Sequence, residues 1–379
     1  MNYTVNSFDF LIVGGGVIGL SIARELHKRG GRNIGVLERG HVGKEASWAA
    51  AGMLSPDIEA DLGSEFHRFC RRSLEMYPAL AEELKGETGI EIELDRSGTF
   101  CLSFDDDDSL REIYARQIED GVRVDLVSSS DISKAEPSIS QSVCEGLFYQ
   151  SNWQVENRKL LQALRTYCEL NGIRIFESMP IESLMIESGK VSGVETADSR
   201  IGAENVVIAT GAWTSLIKIA GSTFPVDIKP VRGQMIAFKP EMRLIRSVVH
   251  SSQGYLVPKR DGRILVGATS EDVGFDKVVT TEAVERLYST AVKMVPALDG
   301  AEIVDSWSGL RPCTEDKLPV IGEFPGYKNL TVATGHYRNG ILLAPLTAVV
   351  IADNLIDNVS FRYAFAPSRF LGETTAASV

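Results

Sequence analysis

The chain has 379 residues, too many for one small domain and suited to two. Its apolar share of 44% and charged share of 24% are those of an ordinary folded chain, not a disordered or collagen-like one. A net charge of −12 opposes binding to nucleic-acid phosphates and to anionic membrane surfaces.

Residues 8–13 read as a fully apolar strand with no basic region before it, which is not the pattern of a signal peptide. Gly14-x-Gly16-x-x-Gly19 follows and opens a helix over 17–28, with Ile18, Ile22 and Leu26 on one face. A second buried strand over 33–37 ends at Glu38 and completes a βαβ unit. Strand, glycines, helix and acid in this order form a dinucleotide fingerprint. The glycines permit a tight turn and bring the helix N-terminus, at Val17 and Ile18, against a pyrophosphate. Glu38, with Arg39 beside it, would accept ribose hydroxyls and repel a 2′-phosphate.

Residues 46–53 (Ala46, Ser47, Trp48, Ala49, Ala50, Ala51, Gly52, Met53) are mostly small. Backbone there could lie close against a flat ligand, or simply pack on a neighbouring helix. One long helix is expected over 65–85, with Phe66, Phe69, Leu80 and Leu84 on its apolar side. Strands at 90–94 and 99–104 flank Arg96-Ser97-Gly98, and Asp105 to Asp108 read as a solvated acidic turn rather than a metal site. A helix over 157–171 closes at Gly172.

Strands at 173–176 and 206–209 return to the nucleotide unit. The second ends in Gly211 beside Trp213, which suits another approach to the cofactor or an ordinary turn. Short strands dominate afterwards, at 235–238, 255–258 and 264–267, before a helix over 282–294 and a strand at 303–307. Gly309-Leu310-Arg311-Pro312 sets a guanidinium in half-buried apolar surroundings. Two readings stand: a clamp for a substrate carboxylate, or an internal ion pair.

Residues 320–355 read as strand, Gly-rich loop and helix. The apolar stretch 341–356 carries Pro345 and Asp353 and falls short of the ~20 apolar residues of a membrane span, so it reads as a buried helix. Before it stands Gly335-His336-Tyr337-Arg338-Asn339-Gly340. A nicotinamide domain has no need of so distant a segment. A flavin can rest its adenine half on the N-terminal unit while its ring is held elsewhere. Backbone N–H groups at that helix start suit an electron-rich ring.

The expected architecture is α+β. A Rossmann-like FAD-binding domain with a parallel sheet draws on residues 1–84, 149–219 and 321–370. An inserted, largely antiparallel substrate-binding domain takes 85–148 and 220–320, and 371–379 is a tail. The five cysteines (Cys70, Cys101, Cys144, Cys168, Cys313) contain no Cys-x-x-Cys pair, which points to a cytoplasmic protein without a disulfide framework or zinc site. No Ser-His-Asp spacing or metal-ligand cluster is evident.

Four segments carry a resemblance: residues 49–54 (AAAGML), 255–258 (YLVP), 309–312 (GLRP) and 335–345 (GHYRNGILLAP). On them the chain resembles the glycine oxidases of the thiamin pathway, within the D-amino-acid oxidase and sarcosine oxidase group of flavoenzymes. The resemblance runs from Phe8 to near Leu355. It implies non-covalent FAD held by Glu38, Ser47, Ala51, Gly52, Met53, Ile181, His336, Tyr337, Arg338, Asn339, Gly340, Ile341 and Leu342. It implies that Arg311 binds the substrate carboxylate, that Tyr255 assists, and that Arg338 faces the substrate.

The implied reaction moves hydride from the α-carbon of a small amino acid to flavin. Oxygen then takes the electrons as hydrogen peroxide, and the imine hydrolyses or passes to a thiazole synthase. A homo-oligomer, a tetramer by resemblance, is also implied. Rival readings are a sarcosine, proline or larger D-amino-acid oxidase, a quinone-linked flavin dehydrogenase, and a flavin-binding protein without turnover. Ser55 stands where the family suggests Gly, Gln253 near an expected His, and Ser270 where Met is expected, so the size limit of the substrate stays open.

Overall fold

The structure, a computed structural model, describes residues 4–104, 109–361 and 363–370; the acidic turn at Asp105 to Asp108 and the tail beyond 370 lie outside the described residues. The strand Thr4–Val13 is central to a ten-stranded sheet, paired in parallel with Ile34–Leu37 on one side and Arg200–Ile208 on the other. An apolar run without alternation suits that place, because helices and loops cover both faces of a parallel sheet. Leu11 and Ile12 are fully buried, on opposite faces. Each such side chain contributes about 1.5–3 kcal/mol through burial.

The helix Val17–Lys28 follows as expected and packs on Gly340–Asp357 and Asn157–Leu170. Gly340–Asp357 is apolar and long enough to cross a membrane, yet it lies mostly buried in the core beneath Val17–Lys28 and Glu65–Glu75. Arg200–Ile208 also pairs with Leu330–Thr334 in parallel and with Lys190–Thr196 antiparallel, which carries the sheet in two directions.

A second, eight-stranded sheet is antiparallel except where Val248–Ser251 meets Thr99–Ser103. Its longest pairing joins Lys229–Phe238 to Ile303–Cys313. A small ribbon of Met53–Leu54 and Trp153–Gln154 stands apart from both sheets. The first sheet is therefore mixed rather than wholly parallel, with a parallel Rossmann-like core extended by antiparallel strands, and together with the largely antiparallel second sheet it makes an α+β chain.

Three local expectations need correction. The single helix over 65–85 is two, Glu65–Glu75 and Tyr77–Thr88, separated at Met76. Pro78 lacks the N–H that would continue the first helix. Residues 90–94 form no strand: Glu93 adopts φ +53, which interrupts an extended run, and only Asp95 bridges to Gln154. The strand expected at 303–307 continues to Cys313, because a ten-residue partner holds it in register.

Candidate functional site

Both large sheets contribute walls to one cavity of about 380 Å³. At one end is the glycine turn. Gly14 sits at φ +113, where a Cβ would collide with the carbonyl oxygen of Ala209. Gly16, Val17 and Ile18 line the cavity. Gly19 does not: it packs against the Gly14 carbonyl, so close that no side chain fits, and serves the turn itself. The Val17 N–H donates to Ser47 Oγ at 3.1 Å, which ties the helix start to the small-residue segment.

The Glu38 carboxylate is buried and oriented by two backbone donors. Gly15 N–H reaches Oε2 and Gly40 N–H reaches Oε1, both at 2.9 Å. A carboxylate has further lone pairs to offer, so it can also accept from vicinal hydroxyls. Beside it the Arg39 guanidinium stacks 3.9 Å from the Trp213 ring centroid, and Arg39 also pairs with Glu45 at 2.8 Å. Ile181 lines the same end with Met179 and Pro180, neighbours that carry no local signal of a site.

Along the middle run Ala46, Ser47, Ala51, Gly52 and Met53. Asn157 Nδ2 donates to the carbonyls of Ser47 and Trp48, and Trp307 Nε1 donates to that of Ala49, so the segment is fixed from two directions. Opposite it, His336, Tyr337, Gly340 and Ile341 line the cavity at the start of the helix Gly340–Asp357. Asn339 and Leu342 do not line it. Asn339 is the helix N-cap, and Leu342 points into the core. The His336 imidazole is paired with Thr347 Oγ1 at 3.2 Å, and burial pushes its pKa down to about 3. It is therefore a neutral, structural ring.

The far end holds the polar groups. Arg311 lies across the face of Gly233, where any side chain would strike the guanidinium. Its Nη1 donates to the Thr269 carbonyl at 3.0 Å, and among the described residues no carboxylate pairs with it. Tyr255 lies beside it, buried, and burial raises its pKa against the pull of Arg311 and Arg338. The phenol therefore stays a donor.

Arg338 is not free: its Nη2 pairs with Glu59 Oε1 at 2.9 Å. Glu59, like Met179 and Pro180, is a lining residue that the sequence reading missed. It lines the cavity on a four-residue helix, Pro56–Glu59, with nothing local to mark it. Burial raises its pKa, opposed by Arg338 and Arg311. The neighbouring Asp57, wholly buried, anchors that short helix through His67 Nε2 and Arg71 Nη1, each at 3.0 Å. Ser55 is buried while Gln253 and Ser270 are exposed, and none of the three lines the cavity.

The arrangement fits FAD. One end is a glycine turn with a helix N-terminus and a held carboxylate, and the other holds the Arg311 and Arg338 guanidinium groups next to apolar wall. No described cysteine lines the cavity to offer a thiol for covalent attachment.

Residues 9–354 match the FAD dependent oxidoreductase (DAO) family. Glycine oxidase of Pseudomonas putida is 36% identical over 351 residues, which cover 92% of this chain and 94% of that protein. The bifunctional protein ThiO/ThiG of Trichormus variabilis is 37% identical over 366 residues, 93% of this chain but 53% of that longer protein. The crystal structure of glycine oxidase from Geobacillus kaustophilus superposes with a TM-score of 0.88 at 35% identity, covering 97% of this chain and 98% of that one. By glycine cradle, cavity and sequence together, the chain belongs to the FAD dependent oxidoreductase family of which glycine oxidases are members.

Proposed function

We propose that this chain oxidises glycine, with sarcosine and small D-amino acids as further substrates, and passes the electrons to oxygen. The observation that carries the proposal is Arg311, a cavity guanidinium that among the described residues has a carbonyl but no carboxylate as partner. A half-buried guanidinium in that state favours a bidentate substrate carboxylate. FAD, when bound, supplies the two-electron acceptor for the α-hydrogen.

The chain's own residues orient and exclude water. Arg311 holds the carboxylate and Tyr255 donates its hydroxyl to it. Glu59 engages Arg338 in an ion pair and offsets its charge, which leaves Arg311 as the cation without a carboxylate partner. Gly14, Gly16, Val17 and Ile18 take the pyrophosphate, Glu38 the ribose, and Ser47, Ala51, Gly52, Met53, His336, Tyr337, Gly340 and Ile341 the ring. With FAD bound to accept hydride from the α-carbon and water to take an amine proton, the product would be an imine. Segments 1–84, 149–219 and 321–370 would hold FAD, and 85–148 with 220–320 the substrate.

A thiazole synthase as acceptor of the imine is supported by the bifunctional ThiO/ThiG relatives. A cytoplasmic homo-oligomer is the accompanying proposal, from the cysteine pattern and the family likeness. The test is peroxide release with glycine, sarcosine, D-alanine and L-alanine in parallel. Turnover of glycine, sarcosine and D-alanine without L-alanine is the expected outcome. Fast turnover of L-alanine, or none of glycine, would sink the proposal.

A further inference from the structure

Lys259 is a buried cation that the mechanism above does not use. It follows the strand Gly254–Pro258 of the antiparallel sheet, and its side chain is only 3% exposed. Its Nζ donates to the Ala51 carbonyl and to the Val155 carbonyl, each at 2.8 Å. Val155 N–H in turn donates to the Gly52 carbonyl at 2.9 Å. The approach is close enough that a Cβ on Gly52 would run into the Val155 oxygen and stand 3.2 Å from Nζ. One ammonium therefore fixes the peptide group joining Ala51 to Gly52 from behind.

That peptide is wall of the middle of the cavity. Ala51 packs in one apolar cluster with Tyr255, Met235 and Trp307, and both Ala51 and Gly52 line the cavity. A cation on the carbonyl oxygen draws electron density from the amide and strengthens its N–H as a donor. Its field also acts through protein of low dielectric, where a charge counts for far more than in water. Both effects favour added electrons on whatever the wall touches.

We propose that Lys259 is a positioning residue that raises the electron affinity of the bound FAD, by holding and polarising the peptide between Ala51 and Gly52. The inference rests on the FAD reading of the cavity.

The charged groups around Nζ are Glu156 at 3.7 Å, Arg263, Glu93 and Asp261. Burial lowers the Lys259 pKa to about 8, against the attraction of Glu156. The ammonium is thus charged at neutral pH and titrates just above it.

The test is the two-electron midpoint potential of FAD in the purified holoenzyme, read by equilibration with a reference dye without oxygen. Lys259→Met removes charge and donors. Lys259→Gln keeps donors for the two carbonyls and removes the charge. Lys259→Arg keeps the charge. We expect Met and Gln to weaken reduction ten- to hundredfold, ~30–60 mV, while Arg stays within about threefold. In the unmutated protein the potential should also fall more steeply as pH rises through about 8, and less so in Lys259→Arg, whose guanidinium does not titrate there. Gln at the unmutated potential overturns the proposal. If Met and Gln fail to fold, the unmutated protein is compared with Lys259→Arg across the whole stable pH range, and superimposable profiles, with no steeper stretch in the unmutated protein, overturn the proposal. A protein that neither carries nor takes up FAD refutes the cofactor reading instead.

Discussion

Arg311 and His336 show how burial gives two polar side chains opposite duties. Arg311 donates to one carbonyl and leaves the rest of its fork toward the cavity. Replacing it with Ala should raise KM for glycine on the order of 10- to 150-fold, the equivalent of ~1.5–3 kcal/mol for a charged hydrogen bond, with FAD content unchanged. Loss of folding with normal activity in the folded fraction would assign Arg311 to the scaffold. His336 is held neutral because burial disfavours its charge, with a pKa pushed to about 3. The unfolded chain takes a proton near 6.5, so unfolding below that pH is accompanied by proton uptake. Stability from this group is fully present above about 6.5 and is lost as pH falls toward 3. Urea unfolding between pH 7 and 5 should show the decline, and His336→Asn should flatten it; an equal slope in both would refute the assignment. Glu38 and Arg311 were legible in the sequence because each sits in a motif with a local reason. Glu59 was not, because only the fold carries the short helix Pro56–Glu59 to Arg338.

The helix Gly340–Asp357 contains Pro345, which has no N–H for the Ile341 carbonyl. That orphan is met from outside: the Tyr77 hydroxyl donates to the Ile341 carbonyl. One residue on, Ser73 Oγ donates to the Leu342 carbonyl at 2.7 Å and accepts from the Leu346 N–H at 3.3 Å. The break between Glu65–Glu75 and Tyr77–Thr88 therefore has a purpose, since Tyr77 opens the second helix and is fully buried against the first turns of Gly340–Asp357. Tyr77→Phe should cost about 1–3 kcal/mol, the penalty of an unsatisfied buried carbonyl, seen as a lower urea midpoint with unchanged slope. A midpoint equal to the parent's would mean that water or a relaxed helix satisfies Ile341. The sequence showed a buried helix with a proline in it. It gave no sign of the rescue, because the rescuing groups lie more than 260 residues away. The break itself was readable in Pro78 and was passed over in favour of the apolar periodicity.

At the scale of the whole molecule, legibility follows sequence distance. The N-terminal βαβ unit is local, and its helix Val17–Lys28 falls where the periodicity sets it. The hairpin Ile181–Glu187 with Lys190–Thr196 was missed, although Ser188 and Gly189 at positive φ form its turn. The strand Ile303–Cys313 could not be bounded, because its partner lies some seventy residues earlier in the chain. Distant pairings of this kind also explain why the cavity needs both sheets: Gly14 and Glu38 come from one, Tyr255 and Arg311 from the other. A ligand that spans them binds the folded chain and not the unfolded one, so it should act as a staple. At FAD concentrations 100-fold above its dissociation constant, the stabilisation is about 2.7 kcal/mol, and it grows with the logarithm of concentration. The stripped protein should therefore melt several degrees below the holoenzyme and recover in proportion to that logarithm as FAD is added back. Gly14→Ala supplies the control, since its Cβ would collide with the Ala209 carbonyl and is strained at φ +113. Its melting temperature should start lower and respond weakly to FAD. Melting of the parent that ignores FAD, or a Gly14→Ala variant that responds as the parent does, would show that the cofactor does not rest on this cradle.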